Sequence, residues 1–125
     1  MNFPSNLRYT KDHEWLKLDG NVATIGITDY AQRELGDIVY VEVETIGKSL
    51  KAGDVFGTVE AVKTVSDLFL PVDGTINELN AALANSPESV NSDPYGEGWM
   101  IKMTVNNPAD VAALMDSAAY EAAVG

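Results

Sequence analysis

Apolar and polar residues alternate along much of the chain, in short runs separated by turn residues. A period of two is typical of strands with one buried face. The runs Glu14–Leu18 and Val22–Ile27 flank Asp19-Gly20-Asn21, and a glycine-containing turn between two such runs predicts a β-hairpin. Further β-branched and aromatic runs predict strands at Val55–Val62, Val65–Leu70 and Thr75–Leu79.

Two other runs are predicted to be strands with apolar residues on one face. Asp37–Glu44 is predicted to be a half-buried strand with three valines on one face, Val39, Val41 and Val43. Trp99–Val105 places four apolar residues on one face: Trp99, Ile101, Met103 and Val105. Both tryptophans, Trp15 and Trp99, are expected in the core because each lies in or beside a predicted strand.

Two segments have helical features. Thr28–Leu35 starts with a potential capping hydroxyl and is followed by Gly36, a residue that often ends helices. The C-terminal segment starts with Asn107, Pro108 and Asp110, a favourable helix start, and Ser117 can begin a second short helix. Four residues of this segment recur at helical spacing: Val111, Leu114, Met115 and Ala118. The loop Ala84–Gly98, rich in Asn, Ser, Pro, Asp and Gly, is expected to be the least ordered part.

These elements predict a mainly β fold, a small barrel or sandwich with peripheral helices. The chain has 125 residues, of which 46% are hydrophobic, and this is enough to bury a core. We expect a single domain over residues 1–125, with a β core at about 7–105 and a C-terminal helical segment at 107–125.

The composition excludes several functions. Lys plus Arg number 8 against 19 Asp plus Glu, and the net charge of −11 opposes binding to nucleic acid or to anionic membranes.

No apolar run is long enough to span a bilayer. The N-terminal residues lack the apolar segment of a secretory signal and are poor in arginine. We therefore expect a protein of the bacterial cytoplasm, or of an organellar matrix if this is a processed chain.

Few residues are available for nucleophilic or metal chemistry. The chain has no cysteine, which excludes disulfides and thiolate sites, and it has one histidine, His13. His13 stands between Asp12 and Glu14, but neighbouring strand residues point to opposite faces and no second histidine exists. We expect no metal site.

One lysine stands apart. Lys63 is the only basic residue between Lys51 and Lys102, a span that carries eight acids. If its strand continued, Lys63 would share the face of Val59 and Ala61, and burying a bare ammonium there would be costly. A tight turn at Val62–Thr64 with Lys63 at its tip is the better solution, and a type I turn suits a tip without Gly or Asn. An accessible amine on a rigid hairpin is a good substrate for a modifying enzyme.

The sequence around this lysine resembles a known family. Gly57-Thr58-Val59-Glu60-Ala61-Val62-Lys63-Thr64-Val65-Ser66-Asp67, followed by Pro71, Gly74 and Thr75–Asn80, is similar to the lipoyl-attachment segment of the glycine cleavage system H proteins. Tyr9–Trp15, Val22–Thr28, Leu35–Val39 and Asp93–Met100 resemble other landmarks of this family, so the likeness covers residues 7 to 120. It implies a flattened hybrid barrel of two antiparallel sheets.

The resemblance also implies a role and a set of partners. Members of the family are carriers, with lipoic acid attached as N6-lipoyllysine at the position of Lys63. They take the aminomethyl group of glycine from a pyridoxal-phosphate glycine decarboxylase (P protein) to a tetrahydrofolate-dependent aminomethyltransferase (T protein). A dihydrolipoyl dehydrogenase (L protein) then reoxidises the dithiol. A lipoate ligase or a lipoyl or octanoyl transferase is the implied modifying enzyme, and transient docking suggests a monomer.

The same resemblance assigns a cleft for the loaded arm. Glu14 and Asp67 match the acids that approach the cargo's amine, and Asp12 falls close to them. The residues beside the attachment lysine form the context that a modifying enzyme meets: Glu60, Val62, Thr64 and Ser66. Without the resemblance, Glu14 and Asp67 would be read as part of a solvated acidic face.

Other functions were weighed against this one. Biotinyl domains carry Met-Lys-Met at the tip and oxoacid-dehydrogenase lipoyl domains usually carry Asp-Lys, whereas this chain has Val62-Lys63-Thr64. A Schiff-base lysine in a small lyase would need a lowered pKa, which Glu60 and Asp67 oppose. An unmodified interaction module is the remaining alternative, and intact mass distinguishes it.

Overall fold

A computed structural model describes residues 1–125 as two antiparallel sheets with short helices around them. The six-stranded sheet has the order β1-β2-β3-β9-β8-β5, and the three-stranded sheet has the order β4-β6-β7. The strands are β1 (Arg8–Tyr9), β2 (Glu14–Asp19), β3 (Val22–Ile27), β4 (Ile38–Glu42), β5 (Ser49–Leu50), β6 (Val55–Ala61), β7 (Val65–Phe69), β8 (Gly74–Leu79) and β9 (Ile101–Val105). The helices are α1 (Asp29–Leu35), α2 (Ser89–Ser92), α3 (Ala109–Ala112) and α4 (Ser117–Val124), with a 3-10 helix at Ala81–Ala84.

The inner faces of the two sheets enclose a core of 21 buried residues. Alternate residues of the strands supply it, as in β9, where Ile101, Met103 and Val105 are buried. A smaller cluster of Leu7, Tyr9, Trp15 and Tyr120 joins the N-terminal segment to α4. The mainly β fold with two antiparallel sheets is therefore confirmed.

The predicted hairpin and first helix are confirmed closely. β2 pairs with β3 from Glu14↔Ile27 to Asp19↔Val22. The side chain of Thr28 accepts a hydrogen bond from the Ala31 N–H and caps α1. Gly36 follows α1 with φ 81° and ψ −155°, a conformation that residues with a Cβ rarely adopt.

The predicted faces of β4 are wrong at Val39. The pairing of β4 with β6 shifts between Ile38 and Tyr40, which is a β-bulge. Ile38 and Val41 are buried, whereas Val39 and Tyr40 are about half exposed. The bulge adds one residue between the two core positions, so the period of two fails there.

The segment 84–98, predicted to be the least ordered part of the chain, contains regular structure and a buried residue. It contains α2, whose Val90 is fully buried, and Asn91 makes three side-chain hydrogen bonds to Ile38, Gln32 and Gly36.

The prediction that both tryptophans lie in the core is confirmed for Trp15 and only partly for Trp99. Trp15 is buried as expected, but Trp99 lies outside β9, is half-buried, and has the Lys102 ammonium 4.9 Å from its ring centroid.

The C-terminal segment forms two helices and not one continuous face. α3 ends at Ala112, and the backbone of Met115 pairs with that of Tyr9 before α4 starts at Ser117, the predicted restart. Ala118 is exposed, contrary to the prediction, because the break rotates α4 and Tyr120 becomes its buried residue. No helix of the chain has the length and apolar character needed to cross a membrane.

Candidate functional site

Lys63 lies at the exposed tip of the β6–β7 hairpin, as the sequence predicts. The three tip residues Val62, Lys63 and Thr64 are all exposed, and the Ala61 N–H donates to the Thr64 carbonyl at 2.7 Å. No tip residue has a positive φ, so the turn is not of a primed type. The neighbouring residues of the attachment context, Glu60 and Ser66, lie on the paired strands below the tip.

The tip is fixed to the end of α1. The Val62 N–H donates to the carbonyl of Asp37 at 3.0 Å. The Lys63 side chain lies over Gly36, where a Cβ would be 3.5 Å from Lys63 Cε. The lysine is thus exposed, and its stem passes over Gly36, the residue that follows α1.

The neighbouring cleft, which we call the α1 cleft, has a volume of ≈280 Å³. This is close to the lower limit of small-molecule sites, roughly 300 Å³. The loop before β2, one side of α1 and the β6–β7 hairpin line it, and the residues are Asp12, His13, Glu14, Ile27, Tyr30, Ala31, Glu34, Leu35, Val59, Ser66, Asp67 and Leu68. It combines apolar side chains with four acidic residues, and such a set suits an aliphatic chain that ends in an amine.

Glu14 is the most unusual of these acids because it is only 2% exposed. Its Oε1 accepts a hydrogen bond from the Thr10 hydroxyl at 2.8 Å, and its Oε2 accepts one from the Phe69 N–H at 3.2 Å. Burial raises the pKa of Glu14 to about 8, and the nearby charge of Asp12 adds to the rise. At neutral pH a mostly protonated carboxyl group therefore lines the cleft.

The structure brings Asp12, Glu14 and Asp67 together around one cleft. Asp12 and Asp67 are exposed, whereas Glu14 is buried. Asp67 pairs with Thr58 across the hairpin, four residues after Lys63. Lys63 and Asp67 thus belong to one hairpin, and Asp67 lines the cleft together with Asp12 and Glu14.

The sequence does not predict two polar residues of the cleft. Tyr30 and Glu34 are one helical turn apart on α1 and both line the cleft. Their i,i+4 spacing was visible in the sequence, but only the packing of α1 shows which of its faces meets the cleft.

His13 also lines the cleft. It is the one non-glycine residue with a positive φ, 68°. Its Nδ1 lies 2.9 Å from the Tyr120 hydroxyl, and burial lowers its pKa below the usual 6.5 although Asp12 and Glu34 oppose this. No group of three or more His, Cys, Asp and Glu side chains is arranged to hold a metal ion.

Two facing antiparallel sheets, with an isolated lysine on the hairpin of the smaller one, make this a fold of the lipoyl-domain-like class. The sequence model of the family described as Glycine cleavage H-protein matches residues 7–125. The chain belongs to the glycine cleavage H-protein family, which confirms the resemblance seen in the sequence.

Individual relatives agree with this assignment. The chain is 60% identical over 124 residues to the glycine cleavage system H protein of Bacteroides fragilis, covering 99% of this chain and 98% of the relative. It is 61% identical over 127 residues to that of Chlorobium luteolum, covering 100% and 99%. The crystal structure of a glycine cleavage system H protein from Mycobacterium marinum superposes with a TM-score of 0.89 at 36% identity, covering 98% of this chain and 99% of that one. Membership places the chain in the glycine cleavage system and implies partner enzymes of that system.

Proposed function

We propose that this chain is the lipoate-bearing carrier of a glycine cleavage system, with lipoic acid joined to the ε-amine of Lys63 as N6-lipoyllysine. The observation that carries the proposal is the placement of Lys63: an exposed lysine at the tip of the hairpin that also supplies Ser66 and Asp67 to an acidic cleft. It would take the aminomethyl group of glycine from the decarboxylase to the aminomethyltransferase.

The residues around Lys63 fit an attached arm. Amide formation removes the ammonium charge, so a modified Lys63 can follow apolar surface without a desolvation penalty. Leu35, Val59 and Leu68 supply such surface inside the cleft. When bound, lipoate supplies a dithiolane whose opening and closing carry the group transfer and the redox step.

The acids suit a cargo that ends in an amine. An aminomethyl group is cationic at neutral pH, and Asp12, Asp67 and Glu34 offer carboxylates around the cleft. Glu14 adds a buried group whose pKa of about 8 allows it to lose its proton when a cation arrives beside it. The cleft would thereby hold the amine of the cargo by ionic contacts between two partners.

The chain is proposed to be a carrier and not an enzyme. Its partners would be the P, T and L proteins of the system and a lipoate ligase or lipoyl or octanoyl transferase. Three successive partners require weak docking, which suits a monomer with a net charge of −11 meeting basic surfaces. A bacterial cytoplasm is the proposed location.

Intact mass tests the proposal. Protein purified from a lipoate-replete host is expected to carry one lipoyl-sized increment, mapped to the peptide Val59–Phe69. Lys63→Arg should lack the increment, and Lys51→Arg, which changes an exposed lysine outside the hairpin, should keep it. A biotin-sized increment would instead support another carrier system, and no increment despite active lipoylation would support the interaction module.

A further inference from the structure

One side chain of the C-terminal helix contacts residues that position the walls of the α1 cleft. Tyr120 of α4 is fully buried, and its ring stacks on that of Tyr9 with the centroids 4.8 Å apart. Its hydroxyl oxygen lies 2.9 Å from Nδ1 of His13 and 2.7 Å from Oγ1 of Thr28. Neither the sequence pattern nor the proposed attachment at Lys63 assigns this hydroxyl a role.

The two partners of Tyr120 belong to two different walls of the cleft. His13 lies in the loop that carries Asp12 and Glu14, and its own ring lines the cleft. Thr28 caps α1 by accepting a hydrogen bond from the Ala31 N–H at 3.2 Å, and α1 forms the other wall. One hydroxyl group thus joins the side chain at the start of α1 to a side chain of the loop that bears the acids.

The backbone of His13 needs such support. A non-glycine residue rarely adopts a φ of 68°, so its surroundings must hold it there. The His13 N–H donates to the Thr10 carbonyl at 3.1 Å, and its carbonyl accepts from the Thr28 N–H at 3.0 Å. Its contact with Tyr120 is its only side-chain hydrogen bond.

We propose that Tyr120 is a positioning residue of the α1 cleft, whose hydroxyl holds the acidic loop and the start of α1 in the arrangement that encloses the amine cargo. The inference rests on the proposed function and adds a residue from the C-terminal helix to it. Tyr120 acts through His13 and Thr28 and does not itself line the cleft.

The direction of the hydrogen bonds follows from burial. Thr28 Oγ1 is fully buried and accepts from Ala31, so its own hydrogen is satisfied only by donation to Tyr120. The Tyr120 O–H then donates to Nδ1 of His13, which must be neutral with its proton on Nε2. NMR of the His13 ring nitrogens can therefore detect the contact in the chain without lipoate.

The first experiment uses the unmodified chain. ¹⁵N NMR of its single histidine should show Nδ1 as a hydrogen-bond acceptor and Nε2 as protonated, and Tyr120→Phe should abolish the acceptor signature. Tyr9→Phe is the matched control, because Tyr9 is equally buried in the same cluster but its hydroxyl donates to the Pro4 carbonyl, at 2.6 Å. An unchanged signature in Tyr120→Phe would overturn the inference.

The second experiment measures how well the cleft protects the cargo. Lipoylated protein is loaded with glycine and its decarboxylase and then separated from the enzyme. Water attacks the methylene carbon and releases free thiol, formaldehyde and ammonium, so formaldehyde reports the loss. Loss of one hydrogen bond should accelerate release about fivefold in Tyr120→Phe, whereas Tyr9→Phe should match the wild type.

The outcomes separate the two proposals. A wild-type chain that takes no lipoate would overturn the proposed function and this inference with it. A loaded wild type that releases formaldehyde as fast as Tyr120→Phe, or equal acceleration in Tyr120→Phe and Tyr9→Phe, would overturn the inference alone.

Discussion

The Phe69 N–H on β7 donates a hydrogen bond, 3.2 Å long, to the carboxyl group of Glu14 on β2. β7 is an edge strand of the three-stranded sheet, and β2 belongs to the six-stranded sheet. A buried side chain therefore satisfies an edge N–H and joins the two sheets at the α1 cleft. Any change in the charge of Glu14 acts on the fold as well as on the cleft.

The first prediction concerns how the free energy of unfolding depends on pH in wild type and in Glu14→Gln. The folded pKa of Glu14 is raised to about 8 from a usual value of 4.5, so the folded chain holds this proton longer than the unfolded chain. Its contribution to stability is complete below pH 4.5 and is lost as pH rises from 4.5 to 8. At about 1.4 kcal/mol per pKa unit, the total loss is several kcal/mol.

Urea denaturation at pH 5 and pH 9 measures this effect. Wild type should lose stability between the two pH values more steeply than Glu14→Gln, which cannot ionise. Gln can still accept from the Phe69 N–H, so the variant should fold. Parallel pH profiles for the two proteins would contradict a buried, late-ionising Glu14.

The second prediction concerns His13. Burial lowers its pKa below 6.5, while Asp12 and Glu34 pull it the other way. As pH falls through 6.5, the unfolded chain takes up the proton first, so stability decreases between pH 6.5 and the folded pKa and is unaffected by this group above 6.5. Because the chain has one histidine, the imidazole resonances in an NMR titration are unambiguous. A midpoint at or above 6.5 would contradict the prediction, because Asp12 and Glu34 would then outweigh the effect of burial on the pKa.

The sequence predicts correctly those elements that depend on residues close to one another along the chain. The turn Asp19-Gly20-Asn21 and the Thr28 cap decide β2, β3 and α1 from neighbouring residues alone. Val39 was misassigned because a bulge is an inserted residue that the alternation does not reveal. The role of Tyr120 depends on contacts with residues 92 and 107 positions earlier, Thr28 and His13, which no local pattern encodes.

At the candidate site too, one feature was predictable from the sequence and another was not. The isolation of Lys63 among acids is visible in the composition, and its exposure at a turn follows from the cost of burying it. The burial of Glu14 was not predictable, because an acid at the start of a strand ordinarily faces solvent. The approach of β7 to β2 provides the hydrogen bond from the Phe69 N–H, and the burial of Glu14 raises its pKa.

The third prediction uses Gly36, the residue beneath the Lys63 stem. Its φ of 81° and ψ of −155° lie in a region that is essentially restricted to glycine, so Gly36→Ala should cost about 2 to 3 kcal/mol. Gly20→Ala is the matched control, since Gly20 has φ 65° and open space around it, and it should cost about 1 kcal/mol. Chemical denaturation of both variants gives the comparison, and equal costs would contradict the special role of Gly36.

The fourth prediction concerns Asn91, which joins α2 to the end of α1. Its Oδ1 accepts from the Ile38 N–H at 2.9 Å, and its Nδ2 donates to Gln32 Oε1 at 3.0 Å and to the Gly36 carbonyl at 2.8 Å. Asn91→Ala leaves these groups without partners and should lower the free energy of unfolding by about 2 to 3 kcal/mol. Asn91→Asp should be comparably harmful because it cannot donate the last two bonds.

Asn77 provides the control for Asn91. Its Nδ2 makes one exposed hydrogen bond, to Thr104 Oγ1 at 2.9 Å, so water can replace it in Asn77→Ala at a cost below about 0.5 kcal/mol. Asn91 also holds the carbonyl of Gly36, and the next residue, Asp37, accepts the hydrogen bond of the Val62 N–H. Hydrogen exchange at Val62 should therefore accelerate in Asn91→Ala and not in Asn77→Ala. If the segment 84–98 were a loose loop, the two variants would have equal stability and equal exchange, and its part in fixing the hairpin tip would be disproved.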